Sequence, residues 1–112
     1  MENKNRSRLV GMLGFAMRAG KVVLGTEQVL SAIGKRAKLV IITSDVSEGT
    51  KEKIIRKCKY GYTETVDLKM TSSELGELFG KLYAPVTAAI TDERFADEIK
   101  RASGYSDSTD EI

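Results

Sequence analysis

Residues 39–43 read Leu-Val-Ile-Ile-Thr, an unbroken run of apolar and β-branched residues. This pattern predicts a strand that is buried on both faces, because a strand with one solvated face alternates apolar and polar residues. A strand covered on both sides needs one layer of helices above it and another below it. We therefore predict that residues 39–43 form the central strand of a sheet packed between two helical layers.

The rest of the chain alternates short β-branched segments with segments of helical periodicity. Further strands are predicted at residues 22–24, 63–68 and 86–91, and helices at about residues 5–18, 26–34, 71–79 and 92–101. Another helix is expected to start within residues 44–48 and to run to about residue 60. This order predicts an α/β fold, a three-layer α/β/α sandwich with a single mixed four-stranded sheet and about five helices. We expect one domain over residues 1–102 and a flexible acidic tail over residues 103–112.

Some side chains give more detailed predictions within these elements. The first helix should bury a broad apolar stripe that includes Phe15. Residues 63–68 alternate in polarity, which predicts an edge strand, and a capping box is expected at Thr71. Ser44 and Asp45, which follow the central strand, are interpreted as caps of the next helix. A small-molecule or hydrolytic site at the end of that strand is the alternative.

Composition argues against several classes of chemistry. The chain has no histidine and one cysteine, Cys58, so a catalytic triad, an ordinary zinc site and an internal disulfide are not expected. Cys58 lies on the apolar side of a predicted helix and is interpreted as a buried structural thiol. Neither a P-loop nor a dinucleotide-binding glycine motif is present. We therefore expect a cytosolic protein that is not an enzyme, does not enter membranes and binds no metal or cofactor.

Charge is distributed unevenly along the chain. Residues 1–60 contain thirteen Lys or Arg against five Asp or Glu, whereas residues 61–102 contain five against eight. This asymmetry favours a polyanionic partner for the basic half, and a merely solvated basic surface is the alternative. The same two interpretations apply to the lysines of residues 51–59, which either hold RNA phosphates or form the solvated face of a helix.

Residues 20–31 form the most informative candidate site. Gly20 and Gly25 bracket a short β-branched strand, and a helical repeat begins after Gly25. Because Gly25 has no side chain, the unpaired N–H groups and positive dipole end of the first helical turn are open to phosphates or base edges. We expect a ligand at this position to meet the side chains of Lys21, Thr26, Glu27 and Gln28 first.

Three segments of the chain, in the same order and spacing, resemble one protein family. Residues 18–29, residues 38–45 and residues 75–80 are similar to the kink-turn-binding ribosomal protein family, the group of the L7Ae and L30e proteins. The resemblance implies an α/β/α sandwich that binds kink-turns, which are sharply bent RNA helices with an internal loop and sheared G·A pairs. In that family, the N-terminal end of the second helix enters the widened major groove, and the loop before the last strand covers the extruded nucleotide.

The resemblance also implies a set of RNA-binding residues at the start of the second helix. The family pattern G-x-N-E-x-x-K falls on Gly25, Thr26, Glu27, Gln28 and Ser31, with Glu27 in place of Asn, Gln28 in place of Glu and Ser31 in place of Lys. Glu27 and Gln28 are expected to contact bases, and Gly25 and Thr26 to present backbone amides. Because Ser31 lacks the charge of a lysine, we expect weaker or more selective binding than in the strongest family members.

Two further groups of residues complete the predicted interface. Lys21, Lys35 and Arg36 are expected to hold phosphates and to compensate in part for the missing lysine. In the loop before the last strand, an unpaired base is expected to stack on an apolar and aromatic surface. That surface is formed by Leu82, Tyr83, Ala84 and Pro85. Packing of Tyr83 on the fold, with Pro85 stiffening the turn, is the alternative.

Together these observations predict a monomeric, non-enzymatic RNA-binding protein. Its expected partner is structured RNA, either a kink-turn or ribosomal RNA within the ribosome. A protein-interaction adaptor on the same fold is the alternative function. RNA binding should fall steeply and log-linearly with salt, whereas a mainly apolar protein contact should not.

Overall fold

The computed structural model describes the backbone of residues 2–103 and the side chains of residues 6–103. Five helices and four strands alternate along the chain in the predicted order. They are α1 Glu2–Arg18, β1 Val22–Leu24, α2 Thr26–Ala32, β2 Leu39–Ile42, α3 Glu48–Tyr60, β3 Glu64–Asp67, α4 Ser72–Leu78, β4 Thr87–Ile90 and α5 Glu93–Ala102. Within residues 2–103, every helix is too short or too polar to cross a membrane.

The four strands form a single mixed sheet in the order β1-β4-β2-β3. β4 runs antiparallel to both of its neighbours, β1 and β2, whereas β2 and β3 are parallel. The predicted central strand is therefore confirmed as an inner strand. β3 lies at one edge of the sheet, in agreement with the alternating polarity of its sequence, and only Val66 of its four residues is buried.

The side chains of β2 alternate between two helical layers. Leu39 and Ile41 pack with α1, α4 and α5, whereas Val40 and Ile42 pack with α2 and α3. All four side chains are fully buried, and burying an aliphatic side chain of this size contributes about 1.5–3 kcal/mol. The unbroken apolar run of β2 therefore reflects contact with helices on both sides, which confirms the predicted three-layer architecture.

The ends of three elements differ from the expected positions. α1 begins at Glu2, slightly earlier than expected. α2 ends at Ala32, before the expected end at Gly34, whose positive φ of 80° is incompatible with a continued helix. Ser103, expected to begin the tail, caps the last turn of α5. The rest of the predicted tail, residues 104–112, lies outside the described residues.

The buried stripe of α1 is narrower than predicted. Leu13 is fully buried, but Phe15 is 55% exposed. The guanidinium of Arg18 lies 4.9 Å from the centroid of the Phe15 ring, a separation at which a cation is attracted to an aromatic face. The prediction that Phe15 is buried is therefore wrong, because its ring projects from the solvent side of the helix beside a cation one turn away.

Asp45 connects the end of β2 to the start of α4. Its carboxylate accepts hydrogen bonds from the Ser72 hydroxyl at 2.8 Å and from the Ser72 backbone N–H at 2.9 Å. These bonds lower the pKa of Asp45, because they stabilise the ionised carboxylate. The cap of α3 is Ser47, whose hydroxyl accepts a hydrogen bond from the backbone N–H of Thr50. The expectation that Ser44 and Asp45 cap the next helix is therefore wrong.

Replacing Asp45 with Asn should lower stability at neutral pH and flatten the stability profile in acid. The folded-state pKa of Asp45 lies below its ordinary value. Its ionised carboxylate therefore stabilises the fold above that ordinary pKa, and the stabilisation is lost as the pH falls through the folded-state pKa. Thermal unfolding measured from acid to neutral pH reports both effects, and Glu77→Gln, which removes an exposed carboxylate from α4, is the matched control. Identical pH profiles for Asp45→Asn and the unsubstituted protein would contradict this role of Asp45.

Candidate nucleic-acid interface

Gly25 is the single residue between the end of β1 and the start of α2. Its φ of 96° and ψ of 143° lie in a region that is open to glycine and strained for other residues. The backbone N–H of Gly25 donates to the carbonyl oxygen of Thr87 at 3.4 Å, and its carbonyl oxygen accepts from the N–H of Val29 at 2.9 Å. Glycine at this position therefore allows a helix to start directly at the edge of the sheet.

The first turn of α2 presents backbone donors. Gly25 is the N-cap of α2, and no side chain accepts a hydrogen bond from the first turn of the helix. Within residues 6–103, the amides of Thr26, Glu27 and Gln28 have no hydrogen-bond acceptor. The side-chain carbonyl oxygen of Gln28 lies over Gly25, only 2.6 Å from where a Cβ would stand. Because the Gln28 side chain is exposed and flexible, it can contact a ligand itself or swing aside from these amides.

The loop before β4 presents apolar and aromatic side chains. Leu82 and Tyr83 are exposed, by 108% and 55% respectively, and Ala84 is exposed beside them. Pro85 is buried, and its Cδ lies 3.3 Å from where a Cβ on Gly76 would stand. Of the four predicted loop residues, three are therefore accessible to a base, whereas Pro85 shapes the loop from within the fold.

The pairing of β1 with β4 brings the helix start and the loop together. Leu24 pairs with Ala88, so the chain leaving β1 at Gly25 lies beside the chain entering β4 at Thr87. We call the resulting set of residues, Gly25–Gln28 with Leu82–Ala84, the tip surface. Ser31 is exposed one helical turn beyond Glu27, so it lies on the same side of α2 and adjoins the tip surface.

Three of the predicted phosphate-binding residues lie at the opposite end of the sheet. Lys21 precedes β1, and its carbonyl oxygen accepts from the N–H of Thr91 beyond the other end of β4. Lys35 and Arg36 follow α2, whose seven residues span about 10 Å. All three side chains are exposed. The structure does not bring them to the tip surface, and they can meet only phosphates elsewhere on a bound RNA.

The sequence interpretation overlooked Gly76 and Lys81 as contributors to the tip surface. Gly76 lies within α4, and a Cβ there would fall against the carbonyl oxygen of Tyr83. The N–H of Lys81 donates to the carbonyl oxygen of Gly76 at 2.8 Å. The α4 helix thus holds the loop in close contact, and Lys81 adds an exposed cation at its start. A glycine inside a helical pattern was the available signal for such a contact.

Cys58 has no accessible chemistry. It is 2% exposed, and burial raises the pKa of its thiol to about 11, so the reactive thiolate is scarce at neutral pH. This agrees with the predicted structural role. Within residues 6–103, no group of three or more His, Cys, Asp or Glu side chains is arranged to hold a metal ion.

Sequence comparisons relate the chain to a known protein family. Residues 8–100 match the model of the Ribosomal protein L7Ae/L30e/S12e/Gadd45 family. The chain is 40% identical over 89 residues to the RNA-binding protein YlxQ of Bacillus subtilis, covering 79% of this chain and 87% of that protein. It is 33% identical over 101 residues to the RNA-binding protein YlxQ of Enterococcus faecium, with coverages of 89% and 95%. It is 38% identical over 76 residues to the large ribosomal subunit protein eL30 of Methanococcus vannielii, with coverages of 67% and 71%.

Solved structures share the same architecture. A Bacillus halodurans protein of unknown function aligns with a TM-score of 0.78 and 28% identity, over 85% of this chain and 95% of that one. A Giardia lamblia 15.5kD RNA binding protein aligns with a TM-score of 0.74 over 94% and 89%, and at 15% identity it supports the fold alone. The fold and the sequence similarities together place the chain in a class of small α/β/α proteins. The chain belongs to the ribosomal protein L7Ae/L30e/S12e/Gadd45 family.

Gly76→Ala should destabilise the protein by about 1–3 kcal/mol, since the added methyl group has no room beside the Tyr83 carbonyl. Gly11→Ala is the matched control, because Gly11 also lies within a helix but an added Cβ meets nothing within 4 Å. This second substitution should raise stability by up to about 1 kcal/mol through helix propensity. Urea unfolding measures both changes. A stabilising effect of Gly76→Ala would contradict the close packing of the loop on α4.

Proposed function

We propose that this chain is a non-enzymatic, cytosolic RNA-binding protein that recognises kink-turns or similarly bent, internally looped RNA through the tip surface. The observation that carries the proposal is the juxtaposition, across the β1–β4 pair, of an uncapped helix start and an exposed apolar loop. Family membership supports it, as do two relatives that are named RNA-binding proteins. The similarity to eL30 supports ribosomal RNA as one candidate partner.

The start of α2 is suited to reading base edges in an opened groove. Backbone amides of Thr26, Glu27 and Gln28 supply donors, and the Gln28 carboxamide supplies both a donor and an acceptor, as a purine edge requires. An ordinary RNA major groove is too narrow to admit a helix end, whereas a kinked helix with an internal loop is wide enough. The first turn of α2 therefore selects RNA by shape before any base contact forms.

The loop is suited to an unpaired base. Leu82 and Tyr83 expose apolar and aromatic surface next to the helix start, and stacking on such a surface favours bases that have left the helix. A kink-turn offers an extruded nucleotide close to the groove that α2 enters. One bent RNA can therefore satisfy both halves of the tip surface at once.

Charge at the tip surface is modest, which predicts selective rather than very tight binding. Glu27 places a carboxylate in the first turn of α2, where it interacts favourably with the helix dipole but repels phosphate. Lys81 is the exposed cation at the start of the neighbouring loop. The more distant Lys21, Lys35 and Arg36 would contribute contacts to phosphates away from the bend, without regard to RNA shape.

Gln28→Ala should lower the affinity for a kink-turn about 5- to 100-fold, the usual cost of losing a bidentate base contact. Its affinity for a plain duplex should be unchanged. Lys21→Ala should weaken binding to both RNAs alike and reduce the slope of log K against log salt by about one unit. Fluorescence anisotropy titrations of both RNAs at several salt concentrations provide the measurement.

Two outcomes would contradict the proposed function. Equal affinity of the unsubstituted protein for kink-turn and duplex would exclude recognition by shape. Absence of any salt dependence would instead favour the protein-interaction adaptor, whose apolar contacts are insensitive to ions.

A further inference from the structure

A second basic surface lies at the opposite end of the sheet from the tip surface. Residues 33–38, which follow α2, and residues 56–63, which include the C-terminal end of α3, contain six Lys or Arg and no acidic residue. We define the far-end patch by six exposed residues of these segments: Lys35, Arg36, Lys57, Lys59, Tyr60 and Tyr62. Within residues 6–103, none of its four cations forms an ion pair.

Two glycines join the halves of this patch. A Cβ on Gly61 would come within 3.1 Å of the Cα of Gly34 and 2.8 Å of the Cγ2 of Ile33. The backbones therefore touch where α2 and α3 end, and no larger side chain could separate them. As a result, the basic pair at residues 35–36 lies next to the tyrosines at residues 60 and 62.

Tyr62 occupies a backbone position that favours glycine. Its φ is 53°, and the N–H of Thr63 donates to the carbonyl oxygen of Cys58 while that of Tyr62 donates to the carbonyl oxygen of Lys59. These two bonds form a Schellman motif, in which the left-handed residue is usually glycine. A tyrosine is strained in this left-handed conformation. The side chain of Tyr62 is 97% exposed, so packing of its ring does not offset the strain. A strained residue without a structural benefit indicates a functional use.

Tyr60 adds a second ring to the same end of the molecule. It is 81% exposed, and it stands three residues beyond Lys57 on α3, so the two side chains are neighbours on one helical face. Exposed aromatic rings interspersed with unpaired cations are typical of surfaces that bind single-stranded nucleic acid. Bases stack on the rings, and the cations meet the phosphates.

We propose that the far-end patch binds a single-stranded RNA segment that flanks the structured element held by the tip surface. The inference rests on the proposed function in taking RNA as the partner. The two surfaces are separated along α2 by about 10 Å, the length of its seven residues. An RNA that fills the tip surface can therefore extend an unpaired strand to the far-end patch.

The test compares a kink-turn hairpin with the same hairpin carrying a single-stranded extension of about ten nucleotides on either end. The unsubstituted protein should bind one of the extended RNAs about tenfold more tightly than the bare hairpin. The double variant Tyr60→Ala/Tyr62→Gly should lose this gain and keep its affinity for the bare hairpin. The matched double variant Tyr60→Phe/Tyr62→Phe retains both rings and should keep the gain.

The single variant Tyr62→Gly separates a functional role of Tyr62 from a purely structural one, because stability and RNA affinity should change in opposite directions. Because glycine relieves the left-handed strain, its Tm should rise by about 2–4 °C while the gain from the extension falls. The proposal is overturned if neither extension improves binding, or if the gain survives removal of both rings.

A plain duplex with the same extension separates this proposal from that for the tip surface. If the protein does not prefer the kink-turn hairpin over the duplex, kink-turn recognition fails. The increase in affinity that the extension gives to the duplex still tests the far-end patch. This increase should be lost in the variant that lacks both rings.

Discussion

The antiparallel pairing of β4 with β1 and β2 fixes the position of both halves of the tip surface. Leu24 pairs with Ala88, and the N–H of Gly25 donates to the carbonyl oxygen of Thr87. The buried Thr87 hydroxyl donates in turn to the carbonyl oxygen of Ile41 at 2.8 Å, which ties the same point to the inner strand β2. A register shift of one residue would exchange the β4 side chains that pack on the two helical layers, so packing on both faces of the sheet also maintains the geometry of the site.

The two ends of the molecule expose different kinds of chemical group. On the proposed function, unpaired backbone donors and an exposed loop at the tip surface read the shape and base edges of an RNA. At the far-end patch, four cations form no ion pair among residues 6–103, and on our proposal they would add affinity that does not depend on sequence. On the proposed function, selectivity and strength of binding therefore reside in different parts of one small domain.

The sequence predicted the fold well because hydrophobic periodicity reports burial, and burial decides strand and helix placement. It predicted the contacts of individual side chains less well. Asp45 binds Ser72 of a distant helix, and no local pattern reveals that partner. Lys21 and Gly25 are near neighbours in sequence, yet the strand between them separates them by about 13 Å. The pairing of the helix start with the loop before β4 was predicted only through resemblance to a family, since the contact depends on long-range strand order.

Amide chemical-shift mapping by NMR, during titration with a kink-turn hairpin that lacks single-stranded extensions, shows whether the start of α2 and the loop before β4 bind RNA together. If the helix start and the loop form one RNA-binding surface, the amides of Thr26–Gln28 and Leu82–Ala84 should shift together and saturate at the same RNA concentration. Saturable binding that leaves both of these segments unperturbed, or that shifts only one of them, would contradict the claim.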